Sequence, residues 1–125
     1  MAQATRESGN MRCVILESPY AGNVERNVAY ARTCLRHSLS LGEAPIASHL
    51  LYTQPGVLRD DDEIERQWGI DAGLAWAALA SATVVYIDLG ISRGMKYGID
   101  HALRAGRPIE WRAIPELEKE KSPAG

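Results

Sequence analysis

The chain lacks most of what would assign a common function directly. It has only two cysteines in 125 residues, with no CxxC, no HExxH and no pair of histidines at ligand spacing. Those absences argue against a structural zinc, and no metal or cofactor is expected. It has no surplus of positive charge: 14 Lys+Arg stand against 16 Asp+Glu, a formal net charge of -2. A nucleic-acid binder needs a basic surface to displace counterions, so nucleic acid is not an expected partner. It has no long apolar run. The least polar stretch, Leu74 to Ile87, is broken by Ser81 and Thr83, and a membrane span needs about 20 apolar residues. The opening segment MAQATRESGNMR has no apolar core of a signal peptide. The expectation is a cytoplasmic chain with Cys13 and Cys34 reduced and buried. GxGxxG and Walker loops are absent, and so are internal repeats.

What remains is the composition of a folded domain, 46% hydrophobic and 24% charged. Residues 1–10 are polar and read as a tail, 11–113 as one domain, and 114–125 as a charged tail. Arg12 to Glu17 is a short apolar run stopped by Ser18-Pro19, a strand buried on both faces. Val24, Val28, Ala31, Leu35 and Leu39 form a helical stripe between the N-cap Asn23 and the stop Gly42. A second strand is predicted over Ala44–His49, then a loop over 50–60. Asp60 to Glu63 put negative charge at the start of a helix running to about Ser81. Thr83–Ile87 is the clearest strand, Met95–Ala105 a helix ended by Gly106, and Pro108–Arg112 a last strand. This alternation predicts an α/β fold: a Rossmann-like parallel sheet of four to five strands with helices on both faces. Ligands of such sheets bind beyond the carboxyl ends of the strands, at loops 17–23, 48–60 and 88–95.

Each loop offers candidates with a structural alternative beside them. Ser18, Tyr20, Gly22 and Asn23 lead into a helix N-terminus, where free N–H groups favour an anion, but an ordinary turn has the same composition. Tyr20 is placed to stack on a base or simply to pack. Ser92, Arg93, Gly94 and Met95 open a helix and form either a phosphate nest or a plain Ser cap with a solvated Arg. His49 ends a strand at the crevice, either as a ligand contact or in a capping or core role, and Asp88 ends a strand and lies at the crevice. Asp71 is a lone carboxylate in a helix apolar nearly all round. It is either a ligand contact or a group paired within the fold or a subunit interface. Gly69, Gly73 and Ala77 make a stripe of small residues on that helix, so 61–81 is the expected surface of a homo-oligomer. His37 is expected to be solvated and His101 structural.

Three stretches in order, LESPYAGN (16–23), PIASHL (45–50) and DLGISRGMKYGIDHALRAG (88–106), resemble the nucleoside 2-deoxyribosyltransferase-like superfamily, in particular its small bacterial and phage members. The resemblance covers residues 12–112. It implies a nucleotide or nucleoside-phosphate ligand, oligomers with sites near subunit contacts, and cleavage of an N-glycosidic bond by a glutamate nucleophile on the helix after the third strand. Gly98 stands at that glutamate's position, while Asp71 resembles the supporting carboxylate of the preceding helix. The expectation is therefore a nucleotide-binding protein with a degenerate site that holds a nucleotide signal, as phage anti-defence sponges do. The alternative is a nucleotide N-glycosidase or deoxyribosyltransferase, with Asp71 or Asp88 activating water.

Overall fold

Short β-branched and apolar segments alternate with capped helices, and the segments pair as one parallel sheet. The computed structural model describes residues 11–59 and 61–117. The expected N-terminal tail, Asp60 and residues 118–125 lie outside the described residues. The elements are β1 (Arg12–Glu17), α1 (Val24–Ser40), β2 (Glu43–Ile46), α2 (Ser48–Leu51), α3 (Glu63–Ala77), β3 (Ala82–Tyr86), α4 (Arg93–Ala105) and β4 (Ile109–Arg112). The strand order is β2-β1-β3-β4, with every pairing parallel. β1 and β3 lie side by side, so the chain leaves β1 toward one edge and β3 toward the other. That reversal opens a crevice above their carboxyl ends.

Alternation along β1 assigns the two faces. Val14 and Leu16 join Val84, Tyr86, Tyr30 and Cys34 in the core beneath α1. Ile15, Glu17 and Thr83 point the other way, into a cavity walled by α3 and α4. The helix ends follow local chemistry. Asn23 caps α1 by accepting from the Arg26 N–H at 3.1 Å. Asp62 caps α3 through the Ile64 and Glu65 N–H groups. Ser92 caps α4, which stops at Gly106 with φ +70°.

Several expectations shift. The buried face of α1 is Asn27, Tyr30, Ala31, Cys34 and Ser38, and Val24 and Leu39 are exposed. Polar side chains can line the core because each finds a partner there: Asn27 Nδ2 donates to the Tyr20 and Ala21 carbonyls, and Tyr30 donates to Asp88 at 2.7 Å. Cys13 is exposed, because it sits near the start of β1 on the side away from the α1 core; Cys34 is buried, and both are free thiols. His37 is not simply solvated, since its Nδ1 lies 2.8 Å from the Tyr86 hydroxyl. β2 ends at Ile46, which leaves His49 in α2. α3 ends at Ala77, short of Ser81. Ile114, at the head of the expected charged tail, is buried in the core, and Leu117 packs against it.

The Gly69–Gly73 stripe of α3 faces its own chain. A Cβ on Gly73 would come 2.7 Å from Ser48 Oγ, and one on Gly69 would come 3.0 Å from Leu58. Small residues there let α2 and its loop approach closely. The outward face of α3 carries Ile64 and Trp68, both exposed, with Leu79 exposed just beyond its end; Trp76, on the flank, donates its indole N–H to the Tyr52 hydroxyl at 2.9 Å.

On the α1 side, one ion cluster ties three strands together. Glu43 accepts from Arg12 and Arg112, each at 2.6 Å, and from Ser38 at 2.7 Å. Burial alone would raise its carboxyl, but the hydrogen bonds from Arg112, Ser38 and Arg12 win and hold it at about 2. Among the described residues, no helix is long and apolar enough to cross a membrane.

Candidate active site

The cavity occupies about 350 Å³ above the β1/β3 junction, between the sheet and α3 and α4. Its floor is Ile15, Glu17 and Thr83, with Arg107 and His101 beside them. Its rim comprises the β1–α1 loop through Tyr20, α2 through His49, and the first turn of α4.

Glu17 decides the character of the floor. It ends β1 on the cavity face, and no hydrogen bond or ion pair to its carboxyl is found among the described residues. Burial pushes its carboxyl up to about 8, against a weaker electrostatic pull from Arg107. Glu17 therefore holds its proton at neutral pH, as a carboxyl does in a poorly solvated pocket. Its carboxyl lies against Gly98 of α4. A Cβ added to Gly98 would stand 2.6 Å from Glu17 Cδ, and closer still to one oxygen. Glycine at 98 is what leaves room for the carboxyl.

Arg107 does not close a salt bridge with Glu17. Its guanidinium spends its donors on the Ala77 carbonyl at 3.0 Å, Thr83 Oγ1 at 3.1 Å and His101 Nδ1 at 3.2 Å. An arginine can only donate, so His101 accepts at Nδ1. Across the floor, Ser18 Oγ and His49 Nε2 are 2.8 Å apart. Desolvation lowers His49 to about 4, so this pair is neutral near pH 7. At the rim, Ser92 Oγ accepts from the Met95 N–H at 3.3 Å. The N–H groups of Arg93 and Gly94 belong to the first turn and have no carbonyl a turn earlier to bond. Nothing lies within 4 Å of a Cβ built on Gly94, so space is open there.

Seven of the expected site residues meet in this cavity: Ser18, Tyr20, His49, Ser92, Arg93, Gly94 and Met95. Four do not line it. Gly22 is an exposed turn residue with φ +97°, and Asn23 is spent on capping α1. Asp71 is exposed on α3 and accepts from Gln67, because the cavity side of that helix is the Gly69, Ile70, Gly73 stripe. Asp88 lies over the α1 core, accepting from Tyr30 and from the Ile114 N–H. Neither aspartate is placed to activate water in the cavity of its own chain. Sequence reasoning passed over Glu17 and Arg107 and read His101 as structural, whereas it lines the cavity. The available signal was parity: Glu17 shares a face with Ile15, and a charge inside an apolar strand needs a reason.

The family model described as Domain of unknown function (DUF7768) matches residues 12–112. The chain belongs to the DUF7768 family. A solved structure of the 2-deoxyribosyltransferase from the psychrotolerant bacterium Bacillus psychrosaccharolyticus is similar to this member. The TM-score is 0.57 at 17% identity, over 81% of this chain and 72% of that one. At that identity the likeness is one of fold, and it agrees with the parallel sheet described above. No curated protein matches the chain. Among the described residues, no group of three or more His, Cys, Asp or Glu side chains could hold a metal ion.

Proposed function

We propose that the cavity binds a nucleoside or nucleoside monophosphate and hydrolyses its N-glycosidic bond. The observation that carries this reading is the unpaired, half-buried carboxyl of Glu17 on the cavity floor. The fold shared with a 2-deoxyribosyltransferase supports the ligand class. The phosphate would sit on the Arg93 and Gly94 N–H groups under the Arg93 side chain, where the α4 dipole also favours it. Ser18 and His49 offer neutral hydrogen-bonding groups for sugar hydroxyls, and Tyr20 a ring face for the base. Glu17, holding a proton, gives it to the departing base nitrogen as the C–N electron pair moves onto the base. Water adds to the anomeric carbon, and its surplus proton returns to Glu17. The products are free base and sugar or sugar phosphate. A placed general acid contributes about 10²–10⁴ in rate.

Incubation with a panel of deoxynucleosides and their 5′-monophosphates, followed by chromatography, tests this directly. Sustained release of base that is lost in Glu17→Gln supports the reading. Recovery of only intact ligand favours a second reading, capture of a nucleotide without cleavage, which rests on the absence of any carboxylate on α4 at Gly98. In either case the exposed Ile64 and Trp68 face of α3 is proposed to pair with a second copy, in a cytoplasmic oligomer.

A further inference from the structure

We infer that Glu17 on β1 and residue 98 on α4 are two routes to one carboxylate position, and that Gly98 is glycine because β1 supplies the group. The inference rests on the hydrolytic reading above for its catalytic consequence. Its geometric basis is independent of that reading. A Cβ on Gly98 would lie 2.6 Å from Glu17 Cδ and 3.1 Å from Oε1, well inside contact distance. Backbone strain does not require this glycine, which lies inside a regular helix and has no positive φ. Helix propensity argues against it, since glycine is among the poorest residues in a helix interior. The Glu17 side chain is the obstacle that a Cβ at position 98 would meet. An aspartate at 98 would place its carboxyl carbon one bond, about 1.5 Å, beyond that Cβ, in the space Glu17 now fills. Both backbones therefore open onto the same part of the cavity, and a side chain at 98 would displace the Glu17 carboxyl from its present place.

Two measurements on the full chain test the exchange. The first is a thermal-melt cycle of wild type, Gly98→Ala, Glu17→Ala and the double variant. Because the Glu17 carboxyl ends a flexible side chain and can swing aside into the cavity, Gly98→Ala is expected to raise the melting temperature by clearly less in the wild type than in the Glu17→Ala background, where the methyl meets no carboxyl. Equal shifts in both backgrounds would overturn the shared position, whether or not the protein has activity. The second is base release by Glu17→Ala and by Glu17→Ala/Gly98→Asp. The double variant is expected to regain at least ten-fold over Glu17→Ala. Coupled melts with no regain, in a protein whose wild type releases base, would overturn the exchange of function. A wild type that releases no base would count against the hydrolytic reading alone, and the melt cycle would still decide the geometry.

Discussion

Replacing Glu17 with glutamine should stabilise the protein, and the gain should grow with pH. Folding raises this carboxyl from 4.5 to about 8. Below pH 4.5 both the folded and unfolded chains carry the proton, and Glu17 has no effect on the pH dependence. Between 4.5 and 8 the unfolded chain has lost the proton and the folded one keeps it, so stability falls by about 1.4 kcal/mol per pH unit. At pH 7 the accumulated loss is about 3 kcal/mol, and above pH 8 it levels near 5 kcal/mol. Glutamine keeps the shape and the polar atoms but cannot ionise. Glu17→Gln should then match wild type near pH 4 and exceed it by about 3 kcal/mol at pH 7, roughly 10 °C in melting temperature.

His49 acts in the opposite sense. Folding lowers it from 6.5 to about 4, so its contribution is present above 6.5 and is lost as pH falls toward 4. The two effects offset one another between 4.5 and 6.5, where the wild type should show a flat profile, and Glu17 alone remains between 6.5 and 8. Urea unfolding of both proteins at half-unit steps from pH 4 to 9 reads the difference curve. A constant difference across that range would refute the reasoning, because it would mean that Glu17 is solvated in the folded state.

Glu43→Ala should cost about 1–3 kcal/mol at pH 7, measured by urea unfolding, because it leaves the buried Ser38 hydroxyl without its acceptor and the mostly buried Arg112 with the half-exposed Glu110 as its remaining carboxylate. With Glu43 held at about 2, the wild-type contribution should fade as pH drops from 4.5 toward 2. Ser92→Ala removes the α4 cap and should cost about 1 kcal/mol in the same assay. Arg93→Ala should weaken binding of a monophosphate far more than of the parent nucleoside, as calorimetry with the matched pair would show. On the proposed pairing through α3, the wild type should run as an oligomer and Trp68→Glu, which puts a charge on that exposed face, as a monomer, read by light scattering.

The sheet was legible because its strands are short, β-branched and closed by Gly, Pro and Ser, and because α1, α3 and α4 begin at recognisable caps. The first turn of α4 was legible for the same reason. The core face of α1 was not, since a hydropathy stripe cannot anticipate that Asn27 and Tyr30 turn inward to meet backbone carbonyls and Asp88. Asp71 and Asp88 stood out as isolated charges, but isolation along a chain says nothing about direction. One is turned to solvent by the small-residue side of α3, and the other is held by Tyr30 and Ile114. Glu17 escaped notice because its meaning lies in a contact across 81 residues of sequence, between positions 17 and 98. A glycine in a helix looks like a lost side chain until the strand opposite shows what fills its place.

A single turnover with protein in excess over a radiolabelled deoxynucleoside monophosphate, quenched by heat, tests the central claim most directly. The account predicts free base and deoxyribose phosphate in equal amounts from the wild type, and intact nucleotide from Glu17→Gln. Intact nucleotide released from the wild type, bound but unbroken, would contradict it.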